Sequence, residues 1–152
     1  MEAIAAAGAG FLLAVLWFDL MFDVQARGPA HDDLPEPVLA SIAGYYRRVT
    51  TDARPMNLLV SAAMGVTLAT VVVELATGDA ARWAAWPSLA LVASAIVVAV
   101  SRTVPGAVRL GGRGDPPAAQ SALARAILRQ HQAIFVLMAT TLALQIASAT
   151  GV

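Results

Sequence analysis

Apolar positions in this chain fall in blocks rather than in stripes. The blocks cover about 3-22, 56-77, 86-101 and 133-150, and proline, glycine and charged residues separate them. A helix needs roughly 20 predominantly apolar residues to cross the hydrocarbon of a bilayer, so the pattern predicts four membrane spans in a single transmembrane domain. The third block is the shortest.

Two connections carry further helical signals. Between the first two blocks, the stretch from Pro37 through Arg48 reads as an interfacial helix, with Asp33 as a candidate N-cap and a bend where it meets Pro55. The stretch from Arg102 through Pro117 contains Gly111, Gly112, Gly114 and Pro116–Pro117, and reads as a flexible loop that Asp115 caps into the next helix. No glycine or proline interrupts 118-148, so the fourth span is expected to end a helix of about 31 residues, roughly 45 Å long at ~1.5 Å per residue. The expected fold is all-α: an integral membrane four-helix bundle with an interfacial helix in the first connection and a long fourth helix.

Composition agrees. Of 152 residues, 59% are hydrophobic and 13% charged, with a mean hydropathy of +0.70, whereas soluble domains are about a quarter charged. Absence of cysteine excludes a disulfide, a thiolate nucleophile and a cysteine-ligated metal within the chain. No basic residue precedes the first apolar block, which predicts a retained span rather than a cleavable leader.

All ten basic residues are arginine, which together with the alanine and valine content suggests a bacterial gene. Arg27, Arg47, Arg48 and Arg54 lie in the first connection, Arg102, Arg109, Arg113, Arg125 and Arg129 lie between spans three and four, and only Arg82 lies on the other side. By the positive-inside rule both large connections are cytoplasmic and both termini outside, in a bacterial inner membrane.

Polar side chains within spans cost roughly 2.5–3.5 kcal/mol at the helix centre and so face protein or water. At about 100° per residue, Asp19 and Asp23 share a face with Ala5 and Gly8, two small residues suited to close helix packing. His131 shares a stripe with Ile127, Ile134, Met138, Thr141 and Gln145, while Arg125, Arg129 and Gln132 lie off it. Asn57 opens the second span and Ser101–Arg102 ends the third. Given the topology, Asp19, Asp23, Asn57, Ser101, Arg102 and His131 reach one layer near the cytoplasmic ends of their helices, which predicts an inward-opening polar pocket.

Carboxylates, an imidazole and guanidinium groups in one layer supply a general base, a proton carrier and anion stabilisers. Asp19, Asp23, Asn57, Arg102 and His131 are the candidate catalytic residues. The plainer readings are that the aspartates pair with arginines at the interface, that His131 is a hydrogen-bonded packing residue and that Arg102 anchors the topology.

Asp19, Asp23 and His131 lack the second histidine or Glu-x-x-His pair of a carboxylate metal centre, so no metal and no cofactor are expected. Glu74 is expected to snorkel outward or pair with Arg82. His31-Asp32-Asp33 reads as solvated capping sequence, and Tyr45-Tyr46-Arg47-Arg48 as an interface anchor with no nucleic-acid implication. The glycines after Leu110 form no phosphate loop, because no strand precedes them and no Gly-Lys-Ser/Thr follows.

The strings GFLLAVLWFDLMF, DARPMNLL, VVAVSRTVPGAVRL and LARAILRQHQAIFVLMAT, in that order, resemble the small four-span membrane family that includes the anthrone oxygenases. Gly106 stands where that family often has asparagine, and Ile127–Gln132 replaces its aromatic residues before the last span. The resemblance implies a cofactor-independent oxygenase acting on a polyphenolic or other apolar substrate, with His131 as the residue carried over.

Three functions are thus expected in order: an accessory subunit or homo-oligomer acting through helix–helix contacts at Ala5, Gly8, Ser61 and Gly65; an anthrone-oxygenase-like membrane enzyme; and proton or small-solute transport. The partners expected are the lipid bilayer and a second copy or a larger membrane complex.

Overall fold

The computed structural model describes residues 1–29, 32–78 and 80–151 of the chain, and among them it contains helices and no strand. His31 lies outside the described residues. Six α-helices follow in order: α1 Glu2–Asp23, α2 Glu36–Arg47, α3 Arg54–Thr77, α4 Arg82–Val98, α5 Val104–Gly112 and α6 Pro117–Thr150. Four continuous helical stretches are long and apolar enough to cross a membrane: Glu2–Ala26, Pro55–Thr77, Arg82–Gly112 and Pro117–Thr150.

The third of these is the main departure from the sequence reading. Where a flexible loop was expected from Arg102, the chain makes one wide turn at Ala99–Thr103 and continues as α5 to Gly112. Pro105 is accommodated because it falls in the first turn of α5, where a missing N–H costs little. The glycines are packing positions rather than hinges. A Cβ on Gly111 would lie 2.8 Å from the Arg47 backbone nitrogen, and one on Gly106 would lie 3.3 Å from Leu123 Cδ1. Their bare backbones let α5 press against α2 and α6.

Two expected caps are also absent. The N-cap of α2 is Pro35, not Asp33, and the N-cap of α6 is Pro116, without a side-chain bond. Asp115 instead receives two hydrogen bonds from Arg109, at 2.7 and 2.8 Å. That guanidinium holds the Asp115 carboxyl below the usual carboxylate range. The break expected before Pro55 is present at Ala53, whose φ of −99° and ψ of 65° leave the helical region.

Helix α1 packs against α3 and α6, and α4 completes the ring by packing against α3 and α6. Gly8 leaves room for the Thr67 side chain where α1 meets α3, since a Cβ there would collide with Thr67 Oγ1. Within the ring, Leu12, Leu16, Val92, Ala95, Ile134 and Met138 form an apolar core. At the other end of the ring, the i, i+3, i+4, i+7 face of α2 (Leu39, Ile42, Ala43, Tyr46) packs with Leu110 and Ile127 into a second core.

Outward faces of the ring are apolar: Leu58 is 72% exposed and Trp86 62%. Such surface suits contact with lipid. Ser148 Oγ donates to Glu2 Oε1, and the Ala81 N–H donates to Ser148 Oγ at 3.3 Å, so the two chain ends and the start of α4 meet at one end.

Because the obstacle at Gly111 is backbone, Gly111→Ala should destabilise the protein by about 1–3 kcal/mol. Gly112→Ala, with nothing within 4 Å of the added carbon, should be neutral or mildly stabilising. Thermal unfolding of the two variants in one detergent measures the difference.

Candidate functional site

The polar centre lies where the two cores meet. Asp19 and Asp23 are four residues apart on α1 and therefore point from one face. Asp23 is fully buried and accepts from two groups: the Tyr46 hydroxyl donates to Oδ1 at 2.5 Å, and His131 Nδ1 lies 2.6 Å from Oδ2. Tyr46 Oη is also 3.3 Å from His131 Nδ1. Beside this trio, the Tyr45 hydroxyl donates to Asp19 Oδ1 at 2.7 Å, and Asp19 Oδ2 lies 3.8 Å from His131 Nε2.

This geometry sets the imidazole's roles. An ionised Asp23 takes the hydrogen on Nδ1, which leaves Nε2 as the free acceptor on the side of Asp19. The imidazole is then oriented by a carboxylate behind it, as a general base must be.

Both phenols are held above the ordinary tyrosine range. Burial is the larger cause in each case, and the adjoining carboxylates, Asp23 for Tyr46 and Asp19 for Tyr45, add to it. The tyrosines therefore serve as permanent donors. Phe22 stacks on the Tyr45 ring at 4.1 Å and fixes its direction.

Two clefts adjoin at this point. The inner one, about 130 Å³, runs between the spans past Leu12, Met64, Val92 and Met138. The outer one, about 330 Å³, lies by Phe18, Phe22, Tyr45, Met56 and Asn57. Asp19 and His131 line both.

Of the candidates read from sequence, the structure brings together Asp19, Asp23 and His131. Asn57 is exposed and lines only the outer cleft. Arg102 is exposed and, among the described residues, makes no ion pair with either aspartate, and Ser101 is turned to its own helix at Val97 O. The wide turn at Ala99–Thr103 carries Thr103, rather than Ser101 or Arg102, to the interior, where it bonds Gln130 at 3.0 Å. The expected four-helix layer is therefore supplied by α1, α2 and α6.

The tyrosines are the residues that sequence reasoning missed as site members. The signal was available: Tyr46 completes the apolar face of α2 at i+7 from Leu39. Arg125 also departs from expectation, being buried with Nη2 donating to Asp32 O at 2.6 Å, because the first connection folds over that side of α6. Glu74 does not snorkel outward. It is buried with Gln145 and Ser88, and Gln145 Nε2 lies 3.2 Å from both Glu74 Oε2 and Ser88 Oγ.

Among the described residues, no group of three His, Cys, Asp or Glu side chains is arranged to hold a metal ion. No known family, curated protein or solved structure matches the chain.

Tyr45 and Tyr46 are the only tyrosines, and the three tryptophans do not titrate, so the rise in ultraviolet absorbance on tyrosinate formation reads these two alone. Their ordinary value is 10.0 and the folded value is higher. Folded protein should therefore show no tyrosinate at that pH. Their contribution to stability is complete below that pH and is lost as pH rises above it, because the unfolded chain releases the protons first. Tyrosinate appearing near pH 10 without unfolding would contradict the burial of both rings.

Proposed function

We propose that this chain is a four-helix bundle of a bacterial inner membrane, with α2 at the cytoplasmic interface and both termini outside, that performs general acid–base chemistry on a lipophilic, hydroxyl-bearing substrate. The orientation rests on the arginines, nine of which flank the end of the bundle that holds the site. The observation that carries the chemistry is His131 held by the buried Asp23 at 2.6 Å, with Nε2 toward Asp19 and two apolar clefts.

The resemblance to the anthrone oxygenases supplies a reaction for such a base. His131 Nε2 takes a proton from a carbon acidified by an aryl ketone, leaving an enolate. Dioxygen, the oxidant, adds to that carbon, the proton returns to give a hydroperoxide, and loss of water leaves a carbonyl. The chain's part is to bind, deprotonate and reprotonate.

The second reading, a helix–helix interaction partner, is favoured by Ser61 and Gly65, which are exposed on α3, with nothing within 4 Å of a Cβ at Gly65. Ala5 and Gly8 do not serve it, since both are used inside the chain: Ala5 is fully buried and Gly8 meets Thr67. Transport is the weakest reading, because the apolar core of Leu12, Leu16, Val92, Ile134 and Met138 separates His131 from Glu74 and Gln145.

His131→Ala and Asp19→Ala should lower turnover of an anthrone-type substrate, followed as dioxygen uptake by reconstituted protein, by about 10²–10⁴-fold for the base. Folded yield should change little for Asp19→Ala, whereas His131→Ala also takes a donor from the buried Asp23, so its turnover is compared per folded molecule. Loss of yield in step with activity in the Asp19→Ala protein would overturn the catalytic assignment, and a stable dimer in mild detergent with no turnover would favour the interaction reading.

A further inference from the structure

We propose that the two clefts form one elongated site for a phenol or quinol ring carrying an aliphatic chain, the ring in the outer cleft, the chain in the inner cleft and the hydroxyl at His131 and Asp19. This rests on the reading of His131 as the reacting base.

The linings differ in kind. Phe18, Phe22, Tyr45 and Tyr46 line the outer cleft, while the inner cleft has aliphatic and methionine side chains and, His131 apart, no ring. Aromatic walls favour a ring, through offset or edge contacts, over a flexible chain. At about 130 Å³ the inner cleft is close to the ~150 Å³ of apolar cavities that stay dry and accept one small apolar guest. It therefore admits a short aliphatic stretch and excludes a polycycle.

Charge selects the head group. Asp19 and the buried Asp23 stand at the junction, and the counter-charge expected from sequence, Arg102, is exposed and, among the described residues, makes no ion pair with either. Among the described residues no arginine lines either cleft, so a carboxylate or phosphate head would meet the like charge of Asp19 there. A neutral hydroxyl can instead donate to His131 Nε2 or to Asp19. Access is from the bilayer, because Phe18 and Met56, which line the outer cleft, are 60% and 45% exposed.

The experiment measures equilibrium binding of decylhydroquinone and methylhydroquinone, kept reduced and anaerobic, to the full chain in one detergent. Ala95→Phe and the milder Ala99→Leu fill the inner cleft, so each should weaken the decyl probe by about tenfold and leave the methyl probe within about twofold. Partition of each probe into micelles is common to all proteins and cancels in that ratio. Equal weakening of both probes, or of neither, in a folded Ala99→Leu protein would overturn the proposal. So would dodecanoate displacing the decyl probe at equal concentration. Chain-dependent binding in a protein that turns over no anthrone-type substrate would retain the binding site while removing the catalytic reading.

Discussion

A carboxylate with no exposure to water, set between apolar helices, dictates much of this architecture. Asp23 cannot stay ionised there without donors, and the cost of an unpaired charge in such a medium is several kcal/mol. It finds two, on different helices: Tyr46 from α2 and His131 from α6. The requirement therefore draws α2 inward against α1 and α6, although α2 belongs to a connection. Close approach at Gly111, where α5 meets the Arg47 backbone, permits that position by letting α2 sit one side-chain layer deeper.

Sequence periodicity made the apolar helices legible because burial in lipid requires long uninterrupted blocks. It also placed Asp19, Asp23 and His131 on inward faces, since helical spacing alone aligns i with i+4 and His131 with Ile134 and Met138. It failed at α5. Glycine and proline after Arg102 resemble a loop when taken singly, and only the neighbouring helices reveal that Gly106 and Gly111 are bare so that others may approach. Arg102 was misplaced for a related reason: one extra residue in the turn at Ala99–Thr103 rotates everything that follows by most of a helical step.

The tyrosines were hidden by a different ambiguity. Tyr-Tyr-Arg-Arg suits a membrane interface as well as it suits a buried donor pair, and composition does not separate the two. What separates them is the partner. Two adjacent residues on α2 meet two carboxylates four apart on α1, so Tyr45 reaches Asp19 and Tyr46 reaches Asp23. The two polar pairs lie side by side, and neither would be apparent from its own helix.

That pairing gives the two aspartates unlike tasks. Asp23 has no exposed surface and its oxygens are taken by Tyr46 and His131, so it orients and cannot reach a ligand. Asp19 keeps 15% of its side chain exposed, lines both clefts and stands 3.8 Å from the outer nitrogen of the same imidazole, a gap longer than a hydrogen bond. A ligand hydroxyl beside that gap would donate its one proton to Asp19 or to His131 Nε2, using an acceptor that the protein alone leaves open. Equivalent residues thus diverge in role through environment, one closed by protein donors and the other left facing apolar space.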